Sequence, residues 1–457
     1  MSRPRSKHRV TSRPAAPGAA SHLASRRLST AFVAILALAF GVRLAAVLWL
    51  RDTVPYSDYS YYQMAGEKIA SDWGFFFDAS QVEYYGKFGW WPPLYPFTIG
   101  ALYTLFGVNH HIVVAFQVLL GTLVCGLVYR LGSRFGGERT GRIAALLVAS
   151  SPSYVFATNL LASENLFVFW LVLGLLLLIR PEPRPRTLAG AGFLFGLGAL
   201  TRASGLLVPI VAALWLRSRT PSPRAWLRAA AVLLGTGAAT IAPWTVRNAL
   251  VVGDPAIVCF GGGLNFYFGH NAESIGYRDL SHTPMAHLTT QAAIDRSGYR
   301  LGAAHIAAQP LGFLTRGMRK VVALFGIARY AEHDNSAIML PEGWNTDPAA
   351  ARVADALRAR QRAKNHLLDG LFTWLAAAHG WFLLAGAVAT ALRWRDLGAE
   401  ARLLVYLCLG WIGAHVLFWA QPRFRYPMDL FLLLLAALAV TRMWPVRAPA
   451  ATERSRS

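Results

Sequence analysis

The chain has 457 residues, of which 55% are apolar and 15% charged, against about a quarter charged in a water-soluble domain. Its net charge of +22 lies beside the apolar blocks rather than on a basic face interleaved with aromatics, which argues against a nucleic-acid-binding surface. Cys125, Cys259 and Cys408 are scattered and form neither a disulfide framework nor a metal motif.

Residues 1–29, rich in Arg, Ser, Pro and Ala, read as a disordered basic cytoplasmic tail. The apolar block that follows, 30–50, is of full span length and lacks an A-x-A-like cleavage site, so it reads as a retained anchor. Further blocks of span length follow along the chain. They approach the ~20 residues that cross a hydrocarbon core, where irregular backbone is not tolerated against lipid.

Arginines orient these blocks. Arg130, Arg134, Arg139 and Arg142 flank one short loop, Arg180, Arg184 and Arg186 a second, Arg217, Arg219, Arg224 and Arg228 a third, and Arg393, Arg395 and Arg402 a fourth. The positive-inside rule places all four in the cytoplasm if spans run over 30–50, 111–131, 142–159, 165–180, 187–200, 203–217, 226–245, 367–392, 403–420 and 427–444. The expectation is an all-α polytopic protein of about ten transmembrane helices in the cytoplasmic (inner) membrane. Residues 30–444 form the transmembrane domain, and both termini, including the tail 445–457, are cytoplasmic. Residues 93–106, though apolar, then fall in the first outer loop (51–110) as a helix along or dipping into the membrane surface. The other outer pieces are a turn at 161–164, a large segment at 247–366 and a link at 421–426.

Outer loops of this length usually carry function. The first holds Asp58 among Tyr56, Tyr59, Tyr61 and Tyr62, with Trp90-Trp91-Pro92-Pro93 downstream. Asp58 is an N-cap candidate for a helix running to about Ala70. Carboxylates among aromatic faces also suit a sugar site, although an interfacial aromatic belt has the same composition. Glu164, in Leu161-Ala162-Ser163-Glu164-Asn165, lies at an outer span end, where a carboxylate usually faces protein or a polar cavity. Arg202, Arg247, Arg423 and Arg425 all fall on the side opposite the arginine-rich loops. Guanidinium groups that clamp a phosphate explain this set, with ordinary headgroups as the alternative for any single arginine. In the large segment, Asn265, His270 and Asn271 are candidate sugar contacts, and Glu332-His333-Asp334 reads as a solvated loop rather than a metal site. Residues 311–327, with Arg316, Arg319 and Lys320, read as a second surface-lying amphipathic helix.

Acidic groups and phosphate-binding arginines at the outer ends of lipid-embedded helices suggest a substrate with a polyisoprenyl tail and a phosphate-linked head. At these residues the chain resembles the GT-C glycosyltransferases that use lipid-phosphate sugars, of the protein O-mannosyltransferase and aminoarabinose transferase type. The pieces that carry the resemblance are Asp58-Tyr59-Ser60-Tyr61-Tyr62-Gln63-Met64-Ala65, Trp91-Pro92-Pro93-Leu94-Tyr95-Pro96, Ser163-Glu164 and Leu200-Thr201-Arg202. They continue through Pro243-Trp244-Thr245-Val246-Arg247-Asn248, Gly261 to Asn271, and Arg425-Tyr426-Pro427. Tyr59 stands where some relatives carry a second acidic residue, and Trp91 where aminoarabinose transferases carry a lysine.

The resemblance implies transfer of a sugar from a polyprenyl-phosphate donor to a hydroxyl of a glycan, lipid or protein acceptor, with inversion. Asp58 matches the base and Glu164 the second acidic residue, which would orient the acceptor, hold a divalent metal ion or balance the arginines. Arg202, Arg247, Arg423 and Arg425 are the donor-phosphate candidates, and Tyr59, Tyr62, Trp91, Asn265 and Asn271 the substrate contacts. A divalent metal ion is the one cofactor this reading leaves open. The partners expected are membrane lipids and the two substrates, with no nucleic acid. The rival readings are a lipid-linked glycan polymerase or ligase, and a transporter or flippase. Polar residues gathered at one face, without a visible internal repeat, argue against transport.

Overall fold

In a computed structural model the described residues are 30–49, 58–74, 89–325 except 183, 273, 275–282, 286 and 289, then 374–375 and 378–443. Among them the chain is α-helical with short 3-10 turns and no strand. In order, the helices are α1 (Thr30–Trp49), α2 (Asp58–Ser71), α3 (Leu94–Phe106), α4 (His110–Gly136), α5 (Glu138–Ser150), α6 (Pro152–Phe156), α7 (Glu164–Leu178) and α8 (Pro185–Thr201). They continue as α9 (Leu207–Trp215), α10 (Pro223–Val252), α11 (Gly262–Gly269), α12 (Gln291–Ala308), α13 (Pro310–Phe325), α14 (Ala378–Leu392), α15 (Ala399–Leu417) and α16 (Tyr426–Met443).

Five stretches among the described residues are long and apolar enough to cross a membrane: Thr30–Trp49, His110–Gly136, Pro223–Val252, Ala399–Leu417 and Arg423–Met443. The apolar helices α3, α7 and α14 are shorter. The central rod is α16, where nearly every residue from Tyr426 to Ala439 is buried. That is the profile of a helix enclosed by other helices. α1, α10 and α15 instead leave large apolar side chains exposed, such as Leu48, Leu234 and Leu409, as expected where lipid is the solvent.

Side-chain bonds tie the basic loops together. Arg219 pairs with Glu400 at 2.7 Å and donates to the Pro181 carbonyl at 3.1 Å. Trp215 Nε1 donates to Ala399 O at 2.6 Å, and the Thr140 and Thr441 hydroxyls meet at 3.0 Å.

One expected span is broken. Residues 142–159 divide into α5, α6 and a 3-10 turn at Ala157–Asn159. Pro152 has no N–H for the carbonyl four residues back and starts a new helix instead. That carbonyl, Val148 O, is met by Nη2 of Arg43 at 3.3 Å, while Nη1 bonds Ala39 O at 3.0 Å. Arg43 is completely buried, and a Cβ on Gly121 would stand 2.6 Å from its Nε. The break near Thr201-Arg202 occurs as expected: α8 ends, Arg202 is extended, and a 3-10 turn at Ala203–Leu206 leads into α9.

α2 and α3 form an interlocked pair. A Cβ on Gly66 would meet Ile99 Cγ2 at 2.3 Å, and one on Gly100 would meet Ile69 Cγ2 at 2.4 Å. Each glycine thus receives the isoleucine that neighbours the other, and Tyr61, Tyr62, Tyr95 and Tyr103 complete the buried cluster.

Candidate functional site

The centre of the site is Glu164, the first residue of α7, only 2% exposed. Its Oε1 accepts from Arg423 Nε at 2.7 Å and Arg202 Nη1 at 2.8 Å. Three residues far apart in sequence are thus joined. Arg202 is placed by the extended residue that ends α8, its N–H bonding Gly198 O at 2.9 Å. Arg423 is placed by the 3-10 turn Pro422–Arg425, which Trp411 holds by donating to Phe424 O at 2.9 Å. Glu164 Oε2 and Arg202 Nε are buried without a hydrogen-bond partner. A small cleft beside them is lined by Phe156, Ala157, Leu160, Ala162, Glu164, Arg423 and Tyr426. Of the three sequence readings for Glu164, balancing the arginines is the one its contacts match.

α2 reaches this centre through Tyr62, whose hydroxyl is 3.5 Å from Ser163 Oγ; Arg202 Nη1 donates to the same oxygen at 3.1 Å. Tyr62 is 3% exposed and meets Tyr95 edge to face at 4.9 Å. Trp91 stacks on Tyr61 at 3.8 Å between ring centres. The turn before Glu164 is fastened by Gln117, which donates to Thr158 O at 3.1 Å and Leu160 O at 2.7 Å and accepts from Tyr95 at 3.2 Å. Asp58 is the first residue of α2, three and four positions before Tyr61 and Tyr62. The side chains of Asp58 and Tyr59 lie outside the described residues, as does Glu332-His333-Asp334.

Arg247 is 3% exposed, lies 4.7 Å from the centre of the Trp244 ring and donates to Asn248 Oδ1 at 3.0 Å. The motif around it has a second task that sequence reasoning missed. Trp244 Nε1 donates to Val258 O at 2.8 Å, Thr245 to Ile257 O at 2.8 Å, and Asn248 to Ala256 O at 2.9 Å. Three side chains on the last turns of α10 thus hold the following strand-like segment, whose Phe260 N–H bonds Gly89 O at 2.8 Å.

Arg425 stands apart from the Glu164 centre. It is buried and pairs with Asp429 at 2.8 Å, one turn along α16. Asp429 was legible as the i,i+4 partner but was not singled out. Asn265 lies partly buried on α11, and Asn271 donates to Tyr267 O at 3.0 Å just beyond it. Both lie within residues 247–366, and the side chains that bond Glu164 are those of Arg202 and Arg423.

A divalent ion fits the described residues poorly. Glu164 sits between two guanidinium groups, and among the described residues no three His, Cys, Asp or Glu side chains gather as a ligand set.

Residues 91–246 match the family model for dolichyl-phosphate-mannose-protein mannosyltransferase. That segment runs from Trp91 to the residue before Arg247 and contains Glu164 and Arg202. The apo oligosaccharyltransferase of Archaeoglobus fulgidus superposes with a TM-score of 0.51 at 15% identity, over 90% of this chain and 50% of that one. ArnT from Cupriavidus metallidurans, solved bound to undecaprenyl phosphate, gives a TM-score of 0.39 at 15% identity, over 90% of this chain and 77% of that one. No curated protein sequence matches. The chain spans about half the length of the oligosaccharyltransferase and shares its fold over that part. Within it, residues 91–246 carry the pattern of the mannosyltransferase family.

Proposed function

We propose that the chain is a membrane glycosyltransferase. It moves a sugar from a polyprenyl-phosphate donor to an acceptor hydroxyl at the outer face of the cytoplasmic membrane, with inversion. The observation that carries this reading is the buried Glu164–Arg202–Arg423 centre, bridged through Ser163 to the helix that Asp58 begins. Two arginines share one carboxylate, which leaves a net positive charge at a helix-end cleft. An anionic head group presented by the bilayer suits such a place.

In this mechanism Asp58 takes the proton from the acceptor hydroxyl as its oxygen attacks the anomeric carbon. The bond to the phosphate oxygen breaks, and the phosphate leaves with its electron pair and one more negative charge. Cations already fixed in place lower the cost of that developing charge. Arg202, Arg423 and Arg247 supply them, while Glu164 holds two of the three in position. Tyr62 and Trp91 border the path between Asp58 and this centre, and Asn265 and Asn271 stand on the outer segment as sugar contacts.

The family matched by residues 91–246 is named for a dolichyl-phosphate mannose donor, which supports the donor class. The test uses purified protein and a panel of radiolabelled polyprenyl-phosphate sugars. One donor should turn over with wild type, and Asp58→Asn should reduce turnover by at least a hundredfold. Arg247→Ala should raise KM for that donor or lower kcat. Wild-type turnover in Asp58→Asn would remove the base assignment, and turnover of no donor would remove the glycosyltransferase reading.

A further inference from the structure

A second group of cations lies under α13. Sequence reading places Arg316, Arg319 and Lys320 on a surface-lying amphipathic helix, and two of these three cations are covered by the rest of the molecule. Leu311, Leu314, Met318 and Val322 are exposed, whereas Arg316 is 7% exposed and Lys320 completely buried. Residues 316 and 320 are one turn apart and share the inward face. Opposite them stand His270, also completely buried, at the end of α11, His305 on α12, and the end of α15.

Lys320 Nζ donates to Val416 O at 2.8 Å and lies 3.1 Å from His270 Nε2, which is itself 2.8 Å from Leu417 O. Gly269 makes the approach possible, since a Cβ there would stand 2.7 Å from Lys320 Nζ. The Phe313 ring stacks on His270 at 5.4 Å. Burial and Arg316 hold Lys320 down to about 7, and burial with these neighbouring cations holds His270 at about 4.

Lysine and histidine at the last carbonyls of α15 have an ordinary structural explanation, because cations favour helix C-termini. That explanation does not reach the other groups. Nε and Nη2 of Arg316, Nδ1 of His270 and Nε2 of His305 are buried with no hydrogen-bond partner. Among the described residues no carboxylate forms an ion pair with Arg316 or Lys320. A buried guanidinium with two unused N–H groups is costly unless something accepts them.

We propose that Arg316, Lys320, His270 and His305 form a binding site for a phosphate-class oxyanion, built on side chains other than those of the Glu164 centre. Arg316 offers two N–H groups at its free edge, the fork that suits two oxygens of one phosphate. The oxyanion comes either from a soluble phosphorylated compound or from the head group of a membrane lipid. The site does not depend on the donor reading, because it uses none of the Glu164, Arg202 and Arg423 side chains.

The test uses full-length protein in maltoside micelles, which contain no phosphate, with two probes: inorganic phosphate by titration calorimetry, and phosphatidylglycerol by native mass spectrometry. At least one should bind saturably and weaken tenfold or more in Arg316→Gln, with a smaller loss in Arg316→Lys, which keeps the charge without the fork. Phosphate binding alone assigns a soluble ligand, and phosphatidylglycerol binding alone assigns a lipid. Both variants should keep the wild-type elution volume. If Arg316→Gln does not, Arg316→Lys and His305→Gln decide. The site is overturned if neither probe saturates, or if binding is lost in Arg202→Gln but kept in the Arg316 and His305 variants.

Discussion

Glu164 receives both arginines on one oxygen, and this makes the three substitutions unequal. Removing Arg202 leaves Glu164 paired with Arg423, whereas removing the carboxylate leaves two half-buried guanidiniums without their shared partner. Breaking a buried pair by deleting one partner costs about 3–5 kcal/mol, and the stranded charges here double. Glu164→Gln should therefore lower the thermal midpoint in detergent more than Arg202→Gln does. The reverse order would show that the carboxylate is carried at a net cost. None of this pairing was legible in the sequence beyond the residues themselves. The membrane-side argument picked out Glu164, Arg202 and Arg423 as exceptions, but positions 164, 202 and 423 meet only because three helix ends converge. Arg425 shows the opposite case. The same argument selected it, while its partner Asp429 was four residues away on one helix face.

At the scale of elements, apolar blocks located the helices well and their interruptions less well. The limits of α1, α7, α8 and α16 fall within a few residues of the expected spans, because lipid-facing backbone must be helical throughout. The break at Pro152 was missed although Ser150-Ser151-Pro152-Ser153 interrupts the apolar run there, because apolar residues resume at once beyond it. The compensation by Arg43 was beyond sequence reading, since it joins two helices 105 positions apart. It can be tested by a pair of substitutions. Gly121→Val should push side-chain atoms into the Arg43 guanidinium and destabilise by about 1–3 kcal/mol. Combined with Arg43→Ala the penalty should shrink, a coupling that thermal melts of the two single variants and the double variant measure. Simple additivity would mean that Gly121 serves some other neighbour. The exposed apolar face of α13 is the one that a helix lying along the membrane turns to lipid. What period alone did not show is that Arg316 and Lys320 on its other face are covered by neighbouring helices.

For the whole molecule, the ten-span orientation rests on the placement of the arginines in the sequence, and labelling tests it. A cysteine at Gly137 would be a poor reporter, because that residue has φ +83° and any side chain there is strained. Glu182, with its side chain 79% exposed, and Val108, 59% exposed, are better placed. In a background with the part-buried Cys259 replaced by serine, Val108→Cys should react with a membrane-impermeant thiol reagent in intact cells. Glu182→Cys should react only after permeabilisation. Labelling of both, or of Glu182→Cys alone, would overturn the orientation.

Arg43 also bears on how the molecule is made. On its own, a helix with arginine at its middle enters a bilayer at a cost of roughly 2.5–3.5 kcal/mol. The acceptor at Val148 is synthesised 105 residues later. Until then the first anchor holds a charge that its own apolar residues must carry into the membrane. α1 therefore has reason to stay near the insertion machinery until α4 and α5 emerge, which makes the earliest helix among the last to settle.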